Sequence, residues 1–267
     1  MKVEILISCM HQKDVSLAMK SKISGDVLII NQTNWDGLTE ITEDGRCIRM
    51  ISTTERGLSR SRNMAMQNAL GDFCLLGDDD EEFVEGYAGL IEEYFCLLPE
   101  ADIIAFDLKN KVTRLKPCVS RVGRLSSMRL CSCQLAFRKE SVLRSGVRFD
   151  PYMGSGSGNG CGEENKFLLD CLKAGLKIYY VPKQIAALKV QESAWFFGFD
   201  EKFFFQRGSA TRYMLGLFPA ILYGLYYILT KHSMYKKEIS MKAAFIALMK
   251  GIKANIIFEQ KNKAKNG

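Results

Sequence analysis

Residues 73–83 read FCLLGDDDEEF: a short apolar run, one glycine, then five consecutive carboxylates. Charges of one sign at that density repel, and the ordinary home of such a run is a solvated turn between a strand and a helix. What precedes it points elsewhere. SRSRNMAMQNAL (59–70) spaces its apolar residues as a helix does, a serine at its start can cap it, and Gly71 stops it. Asp72 turns the chain and FCLLG follows as a buried strand, so Asp78, Asp79 and Asp80 fall at the carboxyl end of a central strand. In open α/β sheets ligands bind at that edge.

Outward from this stretch, short apolar runs alternate with helical patterns. Strands are predicted at 3–9, 26–31, 46–52, 73–77, 102–108, 133–138 and 177–182, and helices at about 13–22, 58–70, 82–98 and 163–173. The alternation predicts an α/β fold with a single Rossmann-like, mostly parallel sheet flanked by helices. A chain of 267 residues, 47% hydrophobic and 25% charged, has the composition of a globular protein with a real core. Its nine cysteines never take a zinc spacing, and their scatter reads as reduced thiols. The opening MKVEILISCM reads as a strand rather than a secretory leader, because Glu4 interrupts a short apolar run.

The net charge of +7 sits in the tail: residues 231–267 hold nine lysines and two glutamates, and the preceding 230 residues balance to zero. A nucleic-acid partner therefore has no basic surface to bind on the main body.

Clustered aspartates at a strand end are stable when a hard cation neutralises them. Mn2+ or Mg2+ takes oxygen ligands, commonly one or two carboxylates plus substrate phosphates. As a Lewis acid it stabilises charge developing on a departing diphosphate. In residue terms, that is chemistry for moving a group away from a nucleoside diphosphate.

The stretch ERGLSRSRNMAMQNALGDFCLLGDDDEEF (55–83) resembles the centre of the family 2 glycosyltransferases, which have the GT-A fold. VRFDPYMGSGSGNGCGEENKFLLDCLKAGLKIYYVP (147–182) is similar to that family's acceptor-side block, and the resemblance covers roughly residues 3–210. It implies an inverting, metal-dependent transfer of one sugar from a nucleotide-sugar, with Mn2+ or Mg2+ as cofactor. Asp78–Asp80 match the D-x-D cluster: Asp80, with Asp78, would ligate the metal, and Asp78 or Asp79 would face the donor's ribose. Arg62 would contact the nucleotide. Ser8, Cys9, His11 and Gln12 would line base and ribose after the first strand. Glu163 and Glu164 match the acidic pair whose second member is the catalytic base. Both also suit the positive end of a helix, worth ~0.3 to 1 kcal/mol each.

Three departures stand beside the resemblance. Where many relatives bind uracil with an aspartate, this chain has Asn31-Gln32, whose amides offer both donor and acceptor. Where relatives often supply a histidine ligand, it has KVQESAW (189–195), so that Gln191, Glu192 or a water would fill that position. The Gln-x-x-Arg-Trp motif of processive synthases is missing, which favours single-sugar addition. GSGSGNGCG (154–162) lacks the Gly-Lys-Ser/Thr ending of a phosphate loop and reads as a loop near the acceptor.

Tyr213 to Thr230 is 18 residues without a charge, broken by Gly216, Pro219 and Gly224. Beside the lysine-rich tail it reads as an in-plane or re-entrant membrane helix rather than a full span. A helical pair packed on the catalytic body, with a solvated lysine face, is the alternative. The expected organisation is a catalytic domain over 1–212, with donor half 1–110 and acceptor half 111–212, followed by membrane-associating helices over 213–267. The acceptor would then be a glycan or lipid-linked oligosaccharide of bacterial surface polysaccharide, met at the cytoplasmic face of the membrane on an anionic lipid surface. Two rivals remain open from sequence: a non-catalytic nucleotide-sugar-binding or scaffold protein, and a nucleotidyltransferase, which would release pyrophosphate.

Overall fold

The computed structural model describes residues 1–111, 113–157, 159–160, 162–189 and 198–266. The chain divides into two compact units, residues 1–149 with 164–191, and residues 150–163 with 192–267.

The first unit is built on one sheet. In chain order it holds β1 (Val3–Met10), α1 (Leu17–Lys20), β2 (Asp26–Gln32), β3 (Gly37–Glu43), β4 (Arg46–Thr53), α2 (Leu58–Asn68), β5 (Phe73–Asp78) and β6 (Glu81–Phe83). There follow α3 (Tyr87–Leu97), β7 (Ile103–Leu108), β8 (Ser120–Arg121), α4 (Arg124–Ser127), β9 (Leu135–Arg138) and α5 (Lys139–Ser145). Then come α6 (Glu163–Lys173) and β10 (Ile178–Leu188). The strand order is β3-β4-β2-β1-β5-β9-β7-β10-β6, with β8 on β10.

The expectation of a mostly parallel sheet needs correction: the sheet is mixed. β4, β2, β1 and β5 run parallel, as do β7 and β10, while β9 enters antiparallel between β5 and β7. Parallel neighbours need a crossover of a dozen or more residues, usually a helix. Between β7 and β9 the one α-helix among the described residues is the four-residue α4, no long crossover helix forms, and β9 pairs antiparallel with both neighbours. β3 and β6 add antiparallel edges.

Alternation along the strands splits the core into two layers. Ile5, Ile7, Val27, Ile29 and Leu75 face Tyr87, Ile91 and Phe95 of α3. Leu6, Leu28, Ile30, Cys74 and Leu76 face Ala65 and Met66 of α2 and Phe167, Leu168 and Cys171 of α6. A sheet covered on both faces requires such apolar runs. Glu4 is the exception inside β1, and its carboxylate is fully used. It accepts from Arg49 Nη2 at 2.6 Å, Leu70 N at 2.5 Å and Gly71 N at 2.9 Å. A side chain on Gly71 would meet Glu4 Cβ at 2.7 Å, so glycine there permits close approach; the helix has already ended at Asn68.

Two predicted helices are shorter than expected. The 13–22 segment is helical only over α1, because Asp14 Oδ1 takes the Ser16 N–H in a local turn. The 82–98 segment starts at Tyr87, because Glu82 and Phe83 pair with β10 in β6.

The second unit is helical: α7 (Glu201–Leu215), α8 (Leu217–Thr230), α9 (His232–Tyr235), α10 (Met241–Ala254) and α11 (Ile256–Asn266). Asp200 caps α7 through Phe203 N and Ser240 caps α10 through Ala243 N. Gly208 and Gly251 bring α7 and α10 together, since a Cβ on either would fall about 2 Å from a backbone oxygen of the facing helix. Phe204, Tyr227, Tyr235 and Leu248 fill the core beside this crossing. The expected boundary at 212/213 falls inside α7, and the uncharged 213–230 stretch is divided at Gly216, whose φ of +84° ends that helix. Among the described residues no helix is long and apolar enough to cross a membrane.

Candidate active site

The carboxyl ends of β1, β2, β4 and β5 lie along one edge because these four strands are parallel. β5 delivers Asp78 there, and the turn Asp79-Asp80 follows at once. α2 presents Ser61 and Arg62 to the same edge from its buried face. The Ser61 hydroxyl donates to Ser8 Oγ at 2.9 Å, docking the helix on β1. Arg62 is 3% exposed. Its Nη2 donates to Asp78 Oδ1 at 3.1 Å and to Ser132 Oγ at 2.7 Å, and its guanidinium lies 5.5 Å from the Phe149 ring centre. A buried cation facing the first aspartate is thus part of the fold.

The other two aspartates carry the strain of the cluster. Burial first, then the charges of Asp80 and Asp78, push the Asp79 carboxyl up from its ordinary value. Asp80 is raised by burial and by Asp78. Glu81 is fully buried and its Oε2 accepts from Asp78 N at 3.0 Å. Burial, with Asp78's charge behind it, raises its carboxyl well above the usual range, against the lowering effect of the Cys133 thiol beside it. Lys189 partly offsets the cluster, its N–H donating to the Asp80 carbonyl at 2.7 Å.

The donor set is all oxygen and already crowded with negative charge, which fits a hard divalent cation. Among the described residues no three His, Cys, Asp or Glu side chains converge as a metal group. A cation that takes one or two carboxylates and completes its shell with diphosphate and water does not need three. Gln191 and Glu192, the expected substitutes for a histidine ligand, lie outside the described residues.

The residues expected to line base and ribose divide. His11 is exposed in the left-handed region at φ +55°, with its N–H on Gln32 O. Gln12 is half-buried beside it. Cys9 points the other way, into the core, where burial raises its thiol to about 12. Asn31 is fully buried: its Oδ1 accepts from Gln12 N at 2.9 Å and its Nδ2 donates to Gln12 O at 2.8 Å. Gln32 Oε1 accepts from Gly57 N at 2.7 Å. These amides shape the loops around the edge, and direct base pairing by Asn31 would break both of its bonds to Gln12.

The acidic pair is sorted by burial. Glu163 is 7% exposed, its carboxyl packed where a Cβ on Gly154 would sit. Glu164 is half-buried in the first unit; burial opposes the charge of Lys111, while Cys131 most, then Cys133 and last Glu164 raise it. Lys111 also tempers Asp80. One lysine thus stands in the field of both the base candidate and the metal candidate.

Sequence reasoning missed Ser132, Glu81, Lys111 and Lys189. The acidic run contained Glu81, but nothing in it marked which carboxylate would turn inward. In the second unit it missed a lock on the glycine-rich loop: Asp150 Oδ2 accepts from Tyr213 Oη at 2.5 Å and Lys261 Nζ at 2.9 Å. Burial opposes its charge, yet these bonds hold the Asp150 carboxyl below its usual range, while Tyr213 rises to about 12.

Residues 21–117 match the family model described as Glycosyl transferase family 2. A comparison with curated protein sequences finds no match. Among solved structures, S. aureus TarS 1–349 aligns with a TM-score of 0.59 at 12% identity, covering 93% of this chain and 81% of that one. The same protein in complex with UDP-GlcNAc aligns at 0.57 and 14%, covering 89% and 74%. A mannosyltransferase from Pyrobaculum calidifontis, in complex with GDP-Man and Mn2+, aligns at 0.50 and 11%, covering 95% and 74%. Identities this low speak for the fold, a mixed α/β sheet flanked by helices. β2 through β7, α2 and the aspartate turn all lie inside the matched 21–117, and it is this part of the chain that is similar to the glycosyl transferase family 2 model.

Proposed function

We propose that the protein transfers one sugar, with inversion, from a nucleoside-diphosphate sugar to a hydroxyl of a glycan or lipid-linked oligosaccharide. We place this step in bacterial surface-polysaccharide synthesis, at the cytoplasmic face of the cell membrane. The observation that carries the reading is the aspartate turn at the end of β5, with Arg62 buried against Asp78 and the Asp79 and Asp80 carboxyls raised by burial and mutual repulsion. Asp80, with Asp78 or Asp79, would hold Mn2+ or Mg2+ together with the donor diphosphate. When bound, the cation supplies Lewis-acid stabilisation of the leaving diphosphate. Arg62 fixes Asp78 and adds positive charge at the same edge. Glu164 takes the proton of the acceptor hydroxyl as its oxygen bonds to the anomeric carbon, and the electron pair of the breaking C–O bond leaves on the diphosphate. Lys111, in the field of Glu164 and Asp80, is placed to balance charge as that proton moves. UDP is the donor nucleotide to test first, since one solved neighbour holds UDP-GlcNAc and UDP.

The membrane reading is supported by α8. Leu217, Phe218, Leu222, Leu225, Tyr226 and Leu229 are all exposed, Phe218 at 76% and Leu222 at 68%, and their spacing puts them on one helical face. Nine lysines after residue 230 supply charge complementary to anionic lipid, ~1 kcal/mol per basic residue near the surface. An in-plane helix buries such a face at the headgroup boundary without spanning.

The test is turnover. Purified protein with a UDP-sugar and Mn2+ should release UDP slowly without acceptor, and release should stop in chelator. Release of pyrophosphate, or no release with any nucleotide-sugar under conditions where UDP binds, would overturn the reading.

A further inference from the structure

Two sulfurs stand beside the aspartate turn and take no part in the chemistry above. Cys131 Sγ lies 3.2 Å from Cys133 Sγ, and both are free thiols. The sequence spacing is too tight for a zinc knuckle, but the fold brings the side chains together. Cys131 is extended, and residues Ser132–Gln134 then make one 3-10 turn that returns Cys133 to the same side. Gln134 clamps the turn: its Oε1 accepts from Cys131 N at 3.1 Å, while its Nε2 donates to Phe106 O and Thr113 Oγ1, each at 2.7 Å.

The surroundings make the two sulfurs unequal. Cys131 is half-buried and Cys133 buried. A hydrogen bond from Cys133 lowers the Cys131 thiol, with the Lys111 ammonium helping against the opposing effect of burial. Cys133 is pushed upward by giving that hydrogen bond and by burial. One half-buried sulfur biased toward the thiolate, in contact with a buried thiol that keeps its proton, is the arrangement of an attacking and a resolving cysteine.

We propose that Cys131 and Cys133 are a peroxide-reactive dithiol that closes to an intramolecular disulfide and, through Ser132 between them, acts on the residue that pairs with Asp78. Cys131 sulfur attacks one peroxide oxygen: the S–O bond forms, the O–O bond breaks, and the departing hydroxide takes a proton to leave as water. The Cys133 sulfur then attacks Cys131: the S–S bond forms, the S–O bond breaks, and hydroxide leaves with the Cys133 proton as a second water. Two thiols are oxidised and one peroxide is reduced to two waters. Bonding draws the sulfurs from 3.2 Å to about 2.05 Å, and the turn that must accommodate this carries Ser132, whose Oγ accepts from Arg62 at 2.7 Å.

Tryptic cleavage after Arg129 and Arg138 isolates both cysteines, and no others, in one peptide, 130–138. The full-length protein is treated with one equivalent of hydrogen peroxide and mapped by mass. The expected result is that peptide 130–138 loses two hydrogens before the exposed Cys96 and Cys118 react. Oxidation at Cys96 or Cys118 while peptide 130–138 keeps both thiols would overturn the proposal. In Cys133→Ser the reaction should stop at a sulfenic acid on Cys131 that dimedone traps. In Cys131→Ser, oxidation of Cys133 would reverse the assigned roles and refute the mechanism. The link to Arg62 rests on the donor reading and is read separately, by UDP titration with Mn2+. The oxidised protein should bind UDP ~10-fold more weakly, the lower end of what a lost hydrogen bond to a charged group allows, and reductant should restore it. Equal UDP affinity in both states would remove that link. UDP binding in neither state would fail the donor reading, while the peptide mass still decides the dithiol.

Discussion

Replacing Arg62 with methionine should move two binding events at the aspartate turn in opposite directions. Methionine keeps an apolar stem near Phe149 and deletes the guanidinium, so Ser132 Oγ and Asp78 Oδ1 lose donors at 2.7 and 3.1 Å. Breaking a fully buried ion pair costs ~3 to 5 kcal/mol, but the Asp78 side chain is 33% exposed and water takes over part of the loss. A net destabilisation of about 1 to 3 kcal/mol follows, readable in urea denaturation as a lower midpoint at unchanged slope. Asp78's charge already raises Asp79, Asp80 and Glu81, and without Arg62 it is uncompensated. Free Mn2+ should therefore bind as tightly or up to ~10-fold more tightly at neutral pH, because the cation meets more negative charge. UDP at saturating Mn2+ should bind ~10- to 100-fold more weakly, the equivalent of losing ~1.5 to 3 kcal/mol of charged hydrogen bonding. Calorimetric titration of each ligand measures both effects on one preparation. Parallel weakening of Mn2+ and UDP, or unchanged UDP affinity, would refute the assignment of Arg62 to the nucleotide.

Glu164→Gln keeps size and polarity but cannot take a proton, so kcat should fall ~10^2- to 10^4-fold with UDP affinity unchanged. The same profile from Glu163→Gln instead would reverse the choice within the pair. In chelator, the raised Asp79 and Asp80 carboxyls bind protons at a pH where the unfolded chain's aspartates are still ionised. The folded state therefore gains stability as pH falls through their raised values, and the gain levels off below the ordinary aspartate value of about 3.9. Asp79→Asn removes one such contribution, so its Tm advantage over wild type should be largest near neutrality and shrink on acidification; a pH-independent difference would sink this. Phe218→Asp with Leu222→Asp should abolish pelleting with anionic vesicles while leaving UDP binding intact. If the double variant still pellets and high salt then releases it, the lysines alone drive attachment, because exposed charges are screened within ~10 Å at 0.1 M salt.

The sequence carried the parallel half of the sheet plainly, because β1, β2, β4 and β5 are apolar runs that need burial on both faces. It also carried the site edge, since Gly71, Asp72 and FCLLG together put Asp78 at a strand end. The β3–β4 hairpin was legible and overlooked: Asp44-Gly45, with φ of +51° and +76°, is the two-residue turn that joins Glu43 to Arg46. β9 was recognised as a strand but not its direction, which depends on how the 109–131 connection packs. β10 runs past Pro182, where the expected strand ended, because a proline lacking its N–H shifts the register with β7 without ending the strand. Asn31 and Gln32 looked like base-binding amides because their type fits a base; only coordinates show Gln12 and Gly57 taking them. Arg62–Ser132 and Asp150–Tyr213–Lys261 join residues 48 to 111 positions apart, and no local spacing announces such partners.

The central claim is that the aspartate turn binds a divalent cation and a nucleoside diphosphate as one site. Its most direct test is the coupling between the two ligands: UDP affinity with and without Mn2+, measured by calorimetry in wild type and in Asp80→Asn. In wild type, Mn2+ should tighten UDP binding ~10- to 100-fold, and by reciprocity UDP should tighten Mn2+ by the same factor. In Asp80→Asn both factors should fall to about one, with the circular dichroism spectrum unchanged. UDP binding that ignores Mn2+ in wild type, or coupling that survives intact in Asp80→Asn, would contradict the account.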